Sequence, residues 1–130
     1  MIAADTSTWI AFLEGERAVD TELLDQALRD RQLLMVPVVL TELPSDPKLS
    51  VDVARALCDV PAIEIGSDDW QRAGALRAKV LAKRRRARLG DALLAQSCID
   101  SGISLVTRDG DFRIFTEAAG LKLVVFSLSG

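Results

Sequence analysis

The chain has 130 residues, 49% of them hydrophobic, and a formal net charge of −3. This length suits one compact domain, and we expect a single domain over residues 1–130. Histidine is absent and there are two cysteines, which excludes the commonest general acid/base, histidine-based zinc or iron sites and a closed thiolate site. Any metal must therefore be held by oxygen, which indicates Mg²⁺ or Mn²⁺ and leaves Ca²⁺ open.

Short β-like runs alternate with helical patterns along the chain. Helices are predicted to begin at cap-type residues such as Asp5 and Ser67, and to end at Pro44 or Gly102. Strands separated by helices imply an α/β fold with a parallel sheet covered on both faces. The predicted strands are residues 1–4, 33–36, 62–65, 103–107 and 123–126.

The sequence predicts a cytoplasmic protein that does not enter a membrane. Its longest apolar run, residues 33–40, is too short to span a bilayer and contains a proline. The opening segment MIAADTS has no basic stretch, so we expect no signal peptide. Cys58 and Cys98 lie in apolar helical patterns, and we expect both to be small buried side chains in a reducing compartment.

Carboxylates occupy corresponding positions at the ends of the predicted strands. In an open parallel sheet, ligands bind outside the carboxyl ends of the strands, so these acids could meet in one crevice. Taken singly, each has a plainer interpretation, because aspartate is a preferred residue at helix N-termini and turns. The acids are Asp5 directly after the first strand, Glu42 at the end of the helix that follows the second, Asp91 at the start of the helix that leads into the fourth, and Asp109 and Asp111 after the fourth.

Mutual repulsion distinguishes the two interpretations of the set. Several carboxylates in one crevice raise one another's pKa values and destabilise the fold unless a positive group lies among them. A divalent cation removes that cost. Two such ions bridging a phosphate can lower the pKa of a bound water and stabilise the attacking and leaving oxygens, with no need for histidine.

Three segments in this order resemble PIN domains, and in particular the ribonuclease toxins of VapBC-type toxin–antitoxin pairs. They are ADTSTWIAFLEG at the start, VPVVLTEL in the middle and RARLGDALLAQSCIDSGISLVTRDGDF towards the end. The resemblance implies a three-layer αβα fold with a central parallel five-stranded sheet. It also implies an acidic site, with one or two Mg²⁺ or Mn²⁺ ions, that cleaves RNA phosphodiester bonds. One departure is the segment TELPSDPKL, which carries two prolines after the glutamate.

The resemblance assigns roles to residues by position. Asp5 and Asp91 would hold the principal ion, while Glu42 and a fourth acid would orient it through water or hold a second ion. The TRDGDF segment offers two candidates for the fourth acid, of which Asp109 is favoured over Asp111. Two small polar residues would support the site through hydrogen bonds to the ligands or the phosphate, and these are Ser7 and Thr107.

Positive charge is concentrated before Asp91. Eight of the sixteen lysine and arginine residues lie between Arg72 and Arg88, and no aspartate or glutamate occurs between Asp69 and Asp91. Charges complementing a helix dipole are the plainer interpretation, but five cations in six positions favour contact with RNA phosphates. The candidate RNA-binding residues are Arg84, Arg85, Arg86 and Arg88, with Arg108 at the crevice.

The resemblance also implies partners. A VapB-like antitoxin would cover the acidic site with an arginine or lysine, and a homodimer is expected, with the helix of Trp9 and Phe12 as a candidate interface. Two rival functions remain open. One is a catalytically silent PIN-fold binding module. The other is an aspartyl-phosphate phosphotransfer or phosphatase domain. It is less favoured because the haloacid-dehalogenase type has a second aspartate two residues after the first, and residue 7 here is a serine.

Overall fold

Residues 1–124 are described by a computed structural model of the protein. Helices and short β segments alternate along these residues, as the sequence predicts. The helix of Glu42 is followed by a 3₁₀ turn at Leu43–Ser45 that contains Pro44, and a second 3₁₀ turn spans Gly110–Phe112. The elements are β1 Ile2–Ala4, α1 Thr6–Leu13, α2 Val19–Arg29, α3 Val39–Glu42, α4 Val51–Cys58, α5 Asp69–Ala82, α6 Leu89–Ser101, β2 Ser104–Val106 and α7 Arg113–Ala119.

The sheet is parallel, and its centre is formed by β1 and β2. β1 and β2 pair in parallel with Ala3 opposite Leu105, and the central residues of both strands are buried. Burial of successive residues in a strand requires cover on both faces, so the parallel α/β prediction is confirmed. Single parallel bridges add further segments on both sides, and these join Ile2 to Leu33, Met35 to Ala62 and Leu105 to Leu123.

The predicted five-stranded sheet is not confirmed. Residues 33–36 and 62–65 form single bridges instead of continuous strands, and the prediction for residues 123–126 lies partly outside the described residues. Prolines explain part of this difference. Pro37 ends the second segment and Pro61 precedes the third, and proline supplies no N–H group for a ladder hydrogen bond.

Capping side chains begin two of the helices, whereas α5 begins at Asp69, two residues after the predicted cap Ser67, and the side chain of its N-cap Asp68 makes no capping hydrogen bond. The N–H group of Thr8 donates to Asp5 at the start of α1, and that of Val53 donates to Ser50 at the start of α4. Gly102 ends α6 with a φ angle of 65°, a left-handed conformation that favours glycine. The predicted helix stop at this glycine is therefore confirmed. These caps fix where each loop at the edge of the sheet begins.

One expectation about the core is wrong. Cys98 is buried, and burial raises the pKa of its thiol to about 12, but Cys58 is exposed at the last turn of α4. Trp9 lies in the core and packs edge-on against Phe12, with ring centroids 6.0 Å apart. The core therefore encloses the indole of Trp9, and the homodimer interface expected on this helix stays a prediction. Among residues 1–124, no helix is both long and apolar enough to cross a membrane.

Candidate acidic active site

Asp5 is a buried carboxylate at the carboxyl end of β1, with only 3% of the residue exposed. The N–H group of Thr8 donates to its Oδ1 at 3.0 Å. The hydroxyl groups of Ser7 and Thr107 both donate to its Oδ2 at 2.7 Å. Hydrogen bonds to a carboxylate fix its orientation. Asp5 is therefore both the cap of α1 and an oriented group that contacts the loop after β2.

Asp91 lies in the first turn of α6, and its pKa is raised to about 6. Burial is the main cause, and the negative charge of Asp109 is the next. Arg88 opposes this shift, while Glu42 and Asp5 add to it. The pKa of Asp91 therefore responds to the charges of three of the four other predicted acids. The structure brings the four carboxylates into one electrostatic environment.

Glu42 is placed against the start of α6. The hydroxyl of Thr6 donates to its Oε1 at 2.9 Å. A Cβ atom added to Gly90 would lie 3.3 Å from its Oε2, which is closer than ordinary van der Waals contact allows. Gly90 therefore leaves room for Glu42 immediately before Asp91. Neither Thr6 nor Gly90 is a predicted site residue, although Gly90 stands beside a predicted acid in the sequence.

The two acids after β2 have different surroundings. The N–H group of Asp109 donates to the hydroxyl of Thr107 at 2.9 Å, and Asp109 Oδ1 accepts the N–H of Asp111 at 2.9 Å. Asp109 acts on the pKa of Asp91, whereas Asp111 lines a cleft of about 290 Å³ together with Arg85. Asp109 therefore lies with the other acids, and Asp111 lies towards the basic residues.

The donor chemistry of the site fits a hard cation, although the site is not a closed cage. Carboxylate oxygens are the ligands that Mg²⁺ and Mn²⁺ prefer. Burial is the main cause of the raised pKa of Asp91, and the neighbouring negative charges, which a cation would offset, add to it. Among residues 1–124, no three carboxylate or thiol side chains stand close enough together to hold a metal ion. An ion held by one or two carboxylates together with water, as is usual for Mg²⁺, does not need such a group of three.

The basic segment, residues 83–88, follows α5 and leads into α6. Its backbone is anchored at Ala87, which is buried and whose carbonyl accepts the Nε–H of Arg77 at 2.8 Å. Arg84 has a left-handed φ angle of 58°, which residues other than glycine seldom adopt. Within the part of the chain that the structure describes, none of its five cations forms an ion pair; they are Lys83, Arg84, Arg85, Arg86 and Arg88.

Arg108 differs from the basic segment because carboxylates already hold its guanidinium. It donates to both oxygens of Asp20 at 2.8 and 3.0 Å, and to Glu16 at 2.9 Å. Burial raises the pKa of Asp20, but hydrogen bonds from Arg108 and Thr8 outweigh that effect, so its pKa lies below the ordinary value. Asp20 is not a predicted site residue. The sequence does hold a signal for its burial, because Asp20 stands four residues before Leu24 and so lies on the same buried face of α2.

The fold and the acids define an α/β protein with a carboxylate site at the carboxyl ends of parallel strands. The model of the PIN domain family matches residues 2–118. The chain therefore belongs to the PIN domain family, as the sequence segments predict. A comparison with curated proteins finds no match.

Several solved structures share this fold, and one of them is a member of the VapBC family of toxin–antitoxin systems. VapBC2 from Rickettsia felis, bound to a DNA fragment from its promoter, has a TM-score of 0.73 at 17% identity, covering 98% of this chain and 100% of that chain. VapBC-5 from Mycobacterium tuberculosis has a TM-score of 0.68 at 20% identity, with 96% and 98% covered. FitAcB from Neisseria gonorrhoeae has a TM-score of 0.69 at 15% identity, with 96% and 97% covered. The fold is thus similar to that of these chains over nearly their whole length.

Proposed function

We propose that this protein is a metal-dependent endoribonuclease that hydrolyses RNA phosphodiester bonds and acts as the toxin of a toxin–antitoxin pair. One observation carries this proposal: Asp5 is buried, oriented by three hydrogen bonds, and shares its electrostatic environment with Asp91, Glu42 and Asp109. Such crowding of negative charge is unfavourable without a cation. Membership of the PIN domain family and the fold shared with VapBC structures support the same function.

The four carboxylates would hold one or two Mg²⁺ or Mn²⁺ ions. When bound, such ions supply an activated water and offset the charge that develops on the phosphate oxygens. Asp5 and Asp91 would be the principal ligands, and Glu42 and Asp109 would complete the site. The hydroxyl groups of Ser7 and Thr107 keep Asp5 in one orientation, while Thr6 does the same for Glu42.

The basic segment would bind the RNA backbone beside this site. RNA approaching four carboxylates meets repulsion, which nearby cations offset by binding its phosphates. Arg88 acts electrostatically on Asp91, so the segment lies within range of the acids. Arg85 and Arg86 line the cleft that also contains Asp111. Such binding gives affinity without sequence preference, because every nucleotide carries the same phosphate.

A cognate antitoxin would regulate the nuclease in the cytoplasm. Toxin–antitoxin complexes recur among the solved structures that share this fold. We expect an arginine or lysine of the antitoxin to enter the acidic crevice, where a cation offsets the same repulsion as a metal ion. We also expect a homodimer. The mass of the protein purified together with the product of its neighbouring gene would test both expectations.

Cleavage of a mixed pool of small RNAs, with tRNAs included, tests the proposal. Protein free of antitoxin is assayed in EDTA, Mg²⁺ and Mn²⁺ beside Asp5→Asn. The control is Asp25→Asn, which changes an exposed carboxylate paired with Arg29 on α2. We expect metal-dependent cleavage by the wild type and the control, with none by Asp5→Asn. Cleavage that persists in Asp5→Asn or in EDTA would contradict the proposal.

A second candidate is a PIN-fold binding module without catalytic activity. It is favoured by the finding that, among residues 1–124, no three acidic or thiol groups stand close enough to hold a metal ion. Growth arrest on expression separates the two functions. Arrest that is lost in Asp5→Asn supports the nuclease, whereas arrest that is unchanged in a folded Asp5→Asn variant supports the module.

A further inference from the structure

Arg108 and Asp20 form an ion pair next to the acidic site, but neither residue is one of the four proposed metal ligands. We propose that Arg108 and Asp20 are positioning residues, which hold Asp5 and Asp109 in their working orientation. This inference rests on the proposed nuclease function. It also assigns Arg108 a role other than the phosphate binding that its place in the sequence suggests.

Hydrogen bonds and one peptide link join the pair to Asp5 in a closed ring, called here the Asp5 ring. Asp5 accepts the N–H of Thr8 at 3.0 Å, and the hydroxyl of Thr8 donates to Asp20 at 3.0 Å. Asp20 binds Arg108 through both of its oxygens. Arg108 follows Thr107 in the chain, and the hydroxyl of Thr107 returns to Asp5 at 2.7 Å. Both hydrogen bonds of the ring to Asp5 are thus linked to the same ion pair.

The guanidinium of Arg108 has little freedom to leave this arrangement. Its Nε and one Nη bind Asp20, and its other Nη binds Glu16, while 34% of its side chain is exposed. Asp20 is 3% exposed, and removing one partner of a buried pair leaves an uncompensated charge. A phosphate that captured Arg108 would have to break this pair. The cations of the basic segment carry no such constraint within the described residues.

Thr107 and Arg108 lie in the loop after β2, and the position of this loop affects two of the proposed ligands at once. The hydroxyl of Thr107 donates to Asp5 and accepts the N–H of Asp109. A shift of this loop would therefore disturb both acids together. Groups that orient metal ligands without touching the metal typically change affinity or activity about 10–100-fold when removed. We expect a loss in that range from either member of the pair.

The test compares Arg108→Met, Asp20→Asn and the double variant with wild type. Arg72→Met is the matched control, because Arg72 forms a similar tertiary pair with Asp100 away from the acids. For each protein we would measure kcat and KM for RNA at several salt concentrations. Mn²⁺ affinity without RNA is measured separately by electron paramagnetic resonance of the free ion. Thermal unfolding shows that each variant is folded under the assay conditions.

We expect kcat and Mn²⁺ affinity to fall about 10-fold or more in both single variants. The double variant should be no worse than the weaker single one, because one pair is broken in every case. KM and the salt dependence of binding should match the wild type and Arg72→Met. Asp20→Asn is informative because this buried side chain cannot contact RNA, and it is the milder change if Arg108→Met does not fold.

A different pattern would overturn the inference. If Arg108→Met raises KM and lowers the salt slope by about one, while Asp20→Asn behaves like wild type, Arg108 binds phosphate. Unchanged kcat and unchanged Mn²⁺ affinity in both single variants would also reject the positioning role. Failure of the proposed function looks different, since wild-type protein would then cleave no RNA, while the Mn²⁺ measurement would still test the Asp5 ring.

Discussion

The acidic site and the basic segment are both evident from charge in the sequence, yet they differ in how they are built. Asp5 accepts three hydrogen bonds, Glu42 accepts one, and Asp109 is tied to Thr107 through its backbone. The cations of the basic segment are exposed, and the described residues offer them no ion pair. An oriented cluster suits chemistry, which needs fixed geometry, whereas unpaired cations suit phosphate binding, which needs none.

This difference teaches that the two charged regions should be separable by experiment. Loss of an acid should act on the chemical step, and loss of a cation should act on RNA affinity and its salt dependence. Arg108 is the informative exception, because its charge resembles the basic segment but its hydrogen bonds belong to the acidic site.

The largest expected effect comes from Asp91→Asn. We expect kcat to fall by at least about 100-fold, beyond the usual effect of a group that only orients a ligand, with little change in RNA binding. Single-turnover cleavage and RNA binding in EDTA would measure the two quantities. A variant that lost RNA binding in proportion to activity would show that the two regions are not separable.

A smaller effect is expected from Arg85→Gln combined with Arg86→Gln. RNA affinity should fall several-fold, and the log–log salt slope should decrease by about one for each phosphate that the variant no longer binds. The value of kcat at saturating RNA should be unchanged, because in the described part of the chain neither arginine forms an ion pair with the four proposed ligands. Arg29→Gln is the control, since Arg29 is exposed on α2 beside Asp25. An unchanged salt slope would show that Arg85 and Arg86 of the basic segment do not bind RNA phosphates.

The smallest expected effect is on stability in EDTA. The pKa of Asp91 is raised to about 6 in the folded protein, whereas it is about 3.9 in an unfolded chain. Between these values the folded state holds a proton that the unfolded state releases. The free energy of unfolding therefore falls as pH rises through this interval and is level above it.

Asp91→Asn should remove this loss of stability. Because the carboxyl is only half-buried, we expect the variant to be more stable than wild type by about 1 kcal/mol above pH 6. Urea unfolding from pH 4 to pH 8 would measure the difference, and saturating Mn²⁺ should abolish it by stabilising the wild type. Parallel stability curves for the two proteins in EDTA would contradict the proposed charge crowding.

Local patterns in the sequence predict much of the fold and the composition of the site. Asp5 and Gly102 are found where capping rules place them, because these rules depend on a few neighbouring residues. The position of acids after strands predicts that they meet, since parallel strands end at one edge. The extent of the sheet is less predictable, because Pro37 and Pro61 shorten segments whose apolar pattern favours strands.

Long-range pairing explains what the sequence does not predict. Arg108 stands beside an expected ligand, and its partner Asp20 lies 88 positions away in the chain. Local patterns do not identify that partner, so charge alone favours an RNA-binding role. The exposure of Cys58 is also not predicted, because it depends on which face of α4 meets the rest of the fold.

The most direct test of the central claim is anomalous diffraction from crystals of the antitoxin-free protein grown with Mn²⁺. We expect an anomalous peak bound by carboxylate oxygens of Asp5 and Asp91, at about the 2.1 Å typical of such small hard cations. The same crystals of Asp91→Asn should lose the peak. A site that stays empty at Mn²⁺ concentrations saturating for cleavage, or a peak held by other residues, would contradict the claim that these acids hold the metal.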